Sequence, residues 1–439
     1  MNFTTDYRLE NFILQTQWAD IPAPGQERLR GWMLDLLGAL VAGSGSGQFA
    51  AGLALARRAF RSGDIAVIGA ADTFDFLGAS AAMGHASNAY DIDDGHNIIR
   101  AHPGTSFIGG LLAAGYECDL NAQDFLAALY VSYETTIRMG EAIMDYYQYA
   151  HSSGTFGAVG VAAGAGRIYG LDRAALNNIL SIAEFNAPLV PGIRSVEYPS
   201  MNKDGVPFGV MIGALALLAD QCGFTGNKHL LEADEYRRYL DDLGQNHEVM
   251  ALYFKPYPCC RWGHPAIDAC LALMAEHHVT AQDIKSVTVE TFYKATQLSK
   301  GIPSCADAAQ YNIAYPVAAA IVNNGFSIQQ VENTNDDAVI DMMGRLSFVC
   351  DPELDAQFPA RRLCRAAMVL KDGRRIVSDV HEPRGEACEN IGYDWLADKF
   401  HRITAHRLTS PQQEVFIQRL HNDDWTVRQL ISQVNAALL

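Results

Sequence analysis

Residues 90–107, YDIDDGHNIIRAHPGTSF, constrain this chain more than any other stretch. Asp91, Asp93, Asp94, His96, Arg100 and His102 crowd together there. Small-residue apolar sequence flanks the knot on both sides, GASAAMGHASNA before it and TSFIGGLLAAGY after it. Flanks of this kind pack as buried helices and carry the knot toward an interior. Buried charge is costly unless it is paired or put to use. The knot is therefore the first place to look for chemistry.

Helical periodicity continues on either side. Apolar residues recur at helical spacing over 26–41 and 50–60. The pattern predicts further helices over 74–89, 105–116, 122–144 (capped by Asn121), 155–168, 172–187 and 207–221. Segment 155–168 is rich in glycine, each costing a helix about 1 kcal/mol against alanine. Such small residues suit close approach of helix backbones.

After about residue 265 the texture changes. KSVTVETF at 285–292 alternates like a strand, and 345–350 and 365–370 are strand-like runs. Lys371-Asp372-Gly373 marks a hairpin into 374–380. Helices over 311–323 and 336–343 intervene, and 424–438 closes the chain. The expected fold is mainly α. It has a large all-helical domain of residues 1–265 plus 406–439, and an inserted smaller α+β lid domain of residues 266–405. A chain of 439 residues exceeds one simple core, in keeping with two domains.

The net charge of −17 argues against nucleic acid or an anionic membrane as partner. The longest apolar run, 206–219, is shorter than a membrane span. Nine scattered cysteines without a CxxC pattern, and an N-terminus unlike a signal peptide, predict a cytoplasmic protein.

Three further stretches set polar residues in apolar or glycine-rich surroundings: YAHSSGTF at 149–156, MNKDG at 201–205 and FKPYPCCRWGHP at 254–265. YNIAY at 311–315 opens a helix of the second domain. Plain structural readings compete with functional ones at each. Aspartates cap helices. His102, His151 and His264 fit core or capping roles, Lys203 fits a solvated turn, and Cys259 and Cys260 fit apolar packing. The aspartate–histidine knot has the ligand types of a divalent metal site. It lacks HExxH and EF-hand spacing, so no metal is expected.

Four motifs in order carry a family resemblance: Asn-Ala-Tyr-Asp-Ile-Asp-Asp…His-Pro-Gly from Asn88, His-Ser-Ser-Gly-Thr-Phe-Gly from His151, Gly-Phe-Thr-Gly at 223–226, and Phe-Lys-Pro-Tyr-Pro…His from Phe254. Over about residues 25–425 the chain resembles the MmgE/PrpD family, which includes 2-methylcitrate dehydratase, cis-aconitate decarboxylase and iminodisuccinate epimerase. The resemblance implies a helical domain with an α+β lid, a homodimer, and no metal or other cofactor. It also implies site residues: Asp91 and His102 from the first motif, His151 from the second, Lys255 and His264 from the last, and Tyr315 as a lid tyrosine. Lys203 resembles a family lysine, although the stretch after it is about two residues shorter than in the decarboxylases. Gly95 stands where decarboxylases carry threonine. Cys260 stands where decarboxylases carry histidine and dehydratases glutamate, and Arg261 follows it.

Neither lyase pattern is reproduced, which favours an epimerase of a polycarboxylate such as iminodisuccinate. The alternatives are a lyase of the 2-methylcitrate dehydratase or cis-aconitate decarboxylase type and, outside the family, a metal-dependent hydrolase or a polycarboxylate-binding protein. All three family activities remove a proton from carbon next to a carboxylate. They need a base and stabilisation of the developing charge. Lys203, Lys255, Arg100 and Arg261 are candidates for positive charge, and a buried lysine with lowered pKa is a candidate base. His102 and His151 titrate near neutrality. Asp91 or Asp94 suits fixing a histidine tautomer. Asp94, His96, Arg100, Cys260, Arg261 and His264 are the candidate substrate contacts. Lys255 has apolar neighbours and few local carboxylates, so no structural ion pair is expected of it.

Overall fold

The computed structural model describes residues 1–389 and 391–439. Five helices make the centre of the larger hydrophobic core: Phe76–Ser87, Thr105–Glu117, Ala122–Tyr147, Ser153–Ile168 and Val206–Gln221. Each lies within a few residues of its predicted bounds. Asn121 caps the long helix by accepting from the Asp124 amide at 3.0 Å. The glycines of Ser153–Ile168 serve contact. A Cβ on Gly209 would fall 2.3 Å from the Gly154 carbonyl oxygen, so the two helices meet backbone to backbone. Packing sustains a helix that propensity alone would not.

The first 265 residues are not entirely helical. Ser62–Ala66 pairs with Thr73–Phe74, and Gly95–His96 pairs antiparallel with Leu252–Tyr253. Strands of two residues have no period for a sequence pattern to reveal. The second ribbon joins the charged knot to the segment that carries Lys255. An unpredicted helix, Arg8–Gln15, packs on the same core.

A second core gathers around a four-stranded sheet in the order Leu346–Cys350, Ile284–Thr291, Cys364–Leu370, Arg375–Val377. The first pair is parallel and the other two antiparallel. Val287 and Val289 alternate inward, as the strand pattern predicts. The last strand ends at Val377, short of the predicted residue 380. Helix His264–His277 covers Cys364–Leu370 and packs on Ala314–Asn323. The final helices, Tyr393–Thr404, Ser410–His421 and Val427–Leu438, return to the larger core through Leu396, Phe400, Phe416 and Ile431.

The protein is thus mainly α. Among the described residues no single helix is long and apolar enough to cross a membrane. All nine cysteines are free thiols.

Helix Tyr393–Thr404 packs along Ala23–Gly43 and brings Lys399 beneath the knot. The Lys399 Nζ lies 2.5 Å from Asp35 Oδ1 and donates to the Ile92 carbonyl at 2.7 Å. A fully buried ammonium therefore holds the main chain between Asp91 and Asp93.

Candidate active site

The knot folds as turns and a two-residue strand between helices Phe76–Ser87 and Thr105–Glu117. Asp91 and Arg100 both take left-handed backbone, φ 48° and 51°, where residues other than glycine are uncommon. Asp94 turns back to the second helix. Its Oδ2 accepts from the Gly104 amide at 2.8 Å, and its Oδ1 from the Thr105 amide at 3.4 Å. Burial, then repulsion from Asp93, pushes its carboxyl up to about 7.

His102 sits inside a ring of acceptors. Its Nδ1 lies 2.5 Å from the Asp94 carbonyl, which can only accept, so Nδ1 carries a proton. The same nitrogen lies 3.4 Å from Asp93 Oδ2. Its Nε2 lies 3.4 Å from Asp91 Oδ1 and 3.7 Å from Asp204 Oδ2. Burial opposes charge on the ring, but Asp93, with Asp91 and Asp204, outweighs it and raises the pKa above the ordinary value. The geometry favours an imidazolium.

Lys255 departs from its sequence expectation. Its Nζ lies 2.7 Å from Asp91 Oδ1, and both side chains are buried. The carboxylate comes from a distant part of the chain, which is why local sequence gave no sign of it. Burial disfavours the ammonium, yet Asp91 and Asp93 more than compensate and raise the pKa. Lys255 is a cation here, not a neutral base. The contact is poorly directed for a hydrogen bond, so the ammonium has none among the described residues.

Asp91 and His102 open onto a cavity of about 490 Å³ between the two cores. Arg100, His151 and Asp204 line it from the larger core's side, and Lys294, Tyr311 and Arg362 from the other. His151 is buried; among the described residues both its ring nitrogens are unpartnered, and its ring lies 4.1 Å from that of Tyr149. Burial lowers its pKa. The cavity therefore meets one histidine disposed to be charged and another disposed to be neutral.

Cys260 and Arg261 also line the cavity. Burial pushes the Cys260 thiol up to about 12. Both terminal nitrogens of Arg261 are engaged: it donates to Glu386 Oε1 at 2.8 Å and to the Arg384 carbonyl at 2.7 Å, and lies over the Tyr253 ring at 4.5 Å.

Other candidates named from sequence lie behind the wall. The Lys203 ammonium is 2.9 Å from Asp307 Oδ1 and donates to Gln310 Oε1 at 2.5 Å. Its neighbour Asp204 reaches the cavity instead. Tyr315 donates to the Gln330 and Asn333 carbonyls at 2.6 and 2.8 Å, inside the second core. Tyr311, from the same stretch, lines the cavity, its hydroxyl unpartnered among the described residues. His96 Nε2 lies 3.7 Å from Glu248 Oε2, and burial pushes its pKa down to about 4. His264 Nε2 lies 3.0 Å from the Cys259 carbonyl; burial, then Arg261, holds its pKa well below the ordinary value. Asp94, by its caps, belongs to the scaffold.

Asp91, His102 and Asp204 offer ligand atoms within 4.8 Å of one another. A divalent ion fits them poorly. The Lys255 ammonium already neutralises Asp91, and a histidine must lose its charge to ligate. A larger surface groove of about 740 Å³ borders Phe3, Tyr147, Glu184 and Lys228. Its acid is occupied, since Glu184 accepts from the Leu230 amide at 2.9 Å. The convergence of titratable groups belongs to the smaller, deeper cavity.

Residues 7–242 match the family model of the MmgE/PrpD N-terminal domain. Residues 257–423 match that of the MmgE/PrpD C-terminal domain. No curated protein matches the chain.

Proposed function

Because this chain belongs to the MmgE/PrpD family, we propose that it is a cofactor-independent epimerase. It acts on a polycarboxylate such as iminodisuccinate by moving a proton at a carbon next to a carboxylate. The observation that carries this reading is the opposed state of two cavity histidines, His102 favoured as imidazolium and His151 as neutral imidazole. Environments that push two groups' pKa values apart assign an acid and a base.

In the forward step a His151 ring nitrogen takes the proton from carbon. The C–H electron pair moves into the adjacent carboxylate and makes an enolate-like dianion. The His102 imidazolium and the nearby Lys255 ammonium stabilise that charge. His102 Nε2–H then returns a proton to the opposite face of the same carbon. Asp91 and Asp204 hold His102 ready, and its Nδ1–H stays on the Asp94 carbonyl.

Cys260 supports epimerisation over elimination. A thiol with pKa near 12 is a poor acid for expelling hydroxide at neutral pH. Gly95 tells against the decarboxylase pattern. A Cβ there would lie 2.2 Å from Tyr253 Cζ, so a threonine enters only if this ring moves. The unit around the second core, the inserted region of residues 266–405 up to the return helix Tyr393–Thr404, is read as the lid that completes the cavity. The reading includes a cytoplasmic homodimer.

Incubating one stereoisomer of iminodisuccinate in D2O tests the reaction. Epimerisation gives deuterium at the α-carbon and the second stereoisomer, with no alkene. A dehydratase acting on 2-methylcitrate gives an ultraviolet-absorbing alkene instead. A binding protein gives neither signal.

A further inference from the structure

The cavity holds two kinds of charge. Asp91, Asp204 and His102 line it, and so do Arg100 and Arg362. The two arginines are close enough that burial and then the charge of Arg362 lower the pKa of Arg100. Arg362 is only 5% exposed, yet among the described residues no carboxylate lies within ion-pair distance of it. Its guanidinium donates to Asn97 Oδ1 at 2.6 Å, and its Nε has no partner. Asn97 in turn donates to Glu386 Oε2 at 2.8 Å, and Glu386 Oε1 takes the Arg261 guanidinium at 2.8 Å. Glu386 thus spends itself on Arg261 and Asn97. It orients Arg362 through an amide without neutralising it.

A nearly buried, correctly held and unneutralised guanidinium on a cavity wall is costly unless an anion arrives there. Its fork matches a carboxylate in two-point fashion. Arg100, exposed and close to Arg362, adds a second positive charge.

Resting on the reading of the site as an epimerase of carboxylates, we infer that Arg362, supported by Arg100, forms a subsite for a second carboxylate remote from the reacting carbon. Arg362 is the specificity-determining residue. The substrate is then a dicarboxylate or larger acid that spans the cavity, with its reacting carbon at His102 and its far carboxylate at Arg362. Monocarboxylates of the same length lack the second anchor and bind weakly.

Calorimetric titration with unreactive ligands tests this without turnover. Succinate and butyrate have equal chain length and differ by one carboxylate. Wild-type protein is expected to bind succinate at least about tenfold tighter than butyrate, the scale of one charge-assisted contact. Arg362→Gln should erase that difference by weakening succinate more than butyrate, while Arg362→Lys retains part of it. Arg100→Gln, altered at an exposed side chain, should narrow it and serves if the Arg362 variants do not fold. Undiminished succinate preference in Arg362→Gln or, where that variant does not fold, in Arg100→Gln overturns the inference. So does equal weakening of both ligands. Because binding is read separately from deuterium exchange, failed exchange with positive titrations removes the epimerase and leaves the subsite standing. The reverse pattern removes the subsite alone.

Discussion

The Lys255 ammonium rests 2.7 Å from Asp91 Oδ1, and neither side chain reaches solvent. The same carboxylate oxygen lies 3.4 Å from His102 Nε2. One acid therefore steadies two cations at the edge of a cavity.

Removing Lys255 leaves buried Asp91 with His102 as its one remaining cation, at a cost of up to about 3–5 kcal/mol, the scale for breaking a buried pair. Lys255→Met should lower the thermal midpoint and reduce deuterium exchange at least about a hundredfold. Adding Asp91→Asn should restore much of the midpoint and none of the exchange. A single variant with unaltered exchange would show that the ammonium is scaffold only.

The two histidines predict a bell-shaped exchange rate. His151, lowered from 6.5, sets an acid limb below that value, and His102, raised from 6.5, an alkaline limb above it. Stability follows His102 as well. A raised folded pKa contributes fully below the unfolded value near 6.5, and the contribution is lost as pH rises through the folded one. In His102→Gln the alkaline decline of the thermal midpoint should flatten, with exchange at least about a hundredfold slower. An unchanged midpoint–pH curve in that variant would falsify the charged state of His102.

Cys260 lines the cavity as a protonated thiol. Cys260→Ala should keep exchange within about fivefold, well short of the hundredfold expected for a proton-transfer group. A loss on the hundredfold scale would give the thiol a direct part in the reaction.

Gly95→Thr must displace the Tyr253 ring, and overpacking of this kind costs about 1–3 kcal/mol. Pairing it with Tyr253→Ala should cost less than the sum of the two single changes. Strict additivity in urea unfolding would mean that the ring is not what excludes the threonine.

Chelator treatment should leave exchange intact, since Lys255 and His102 supply the positive charge at Asp91. Loss on chelation, restored by a divalent ion, would reassign Asp91, His102 and Asp204 as ligands.

Much of the helical architecture was legible because periodicity over ten or more residues survives in any tertiary context. The Gly95–His96 and Leu252–Tyr253 ribbon was not, being too short to have a period. At the site, legibility depended on whether a residue's neighbours were also unusual. Asp91 and His102 stood out from apolar flanks. Arg362 sits in an unremarkable run beside Arg361, which simply pairs with Glu382 on the surface. Lys203 and Asp204 are adjacent, as Tyr311 and Tyr315 nearly are, and in each case sequence pointed to the neighbour that faces away from the cavity. Composition selects a stretch. Which member of it turns inward is decided by backbone direction, as in the left-handed turn at Lys203.

Lys399 donates to the Ile92 carbonyl from a helix near the end of the chain. A ribosome delivers Ile92 long before Lys399. For most of translation the turn bearing Asp91 and Asp93 has no cation beneath it. A nascent chain halted just before Tyr393 already owns every cavity-lining side chain, including Arg362, but lacks the prop under the turn. The turn that carries Asp91 and Asp93 therefore gains its buried cation only when helix Tyr393–Thr404 docks.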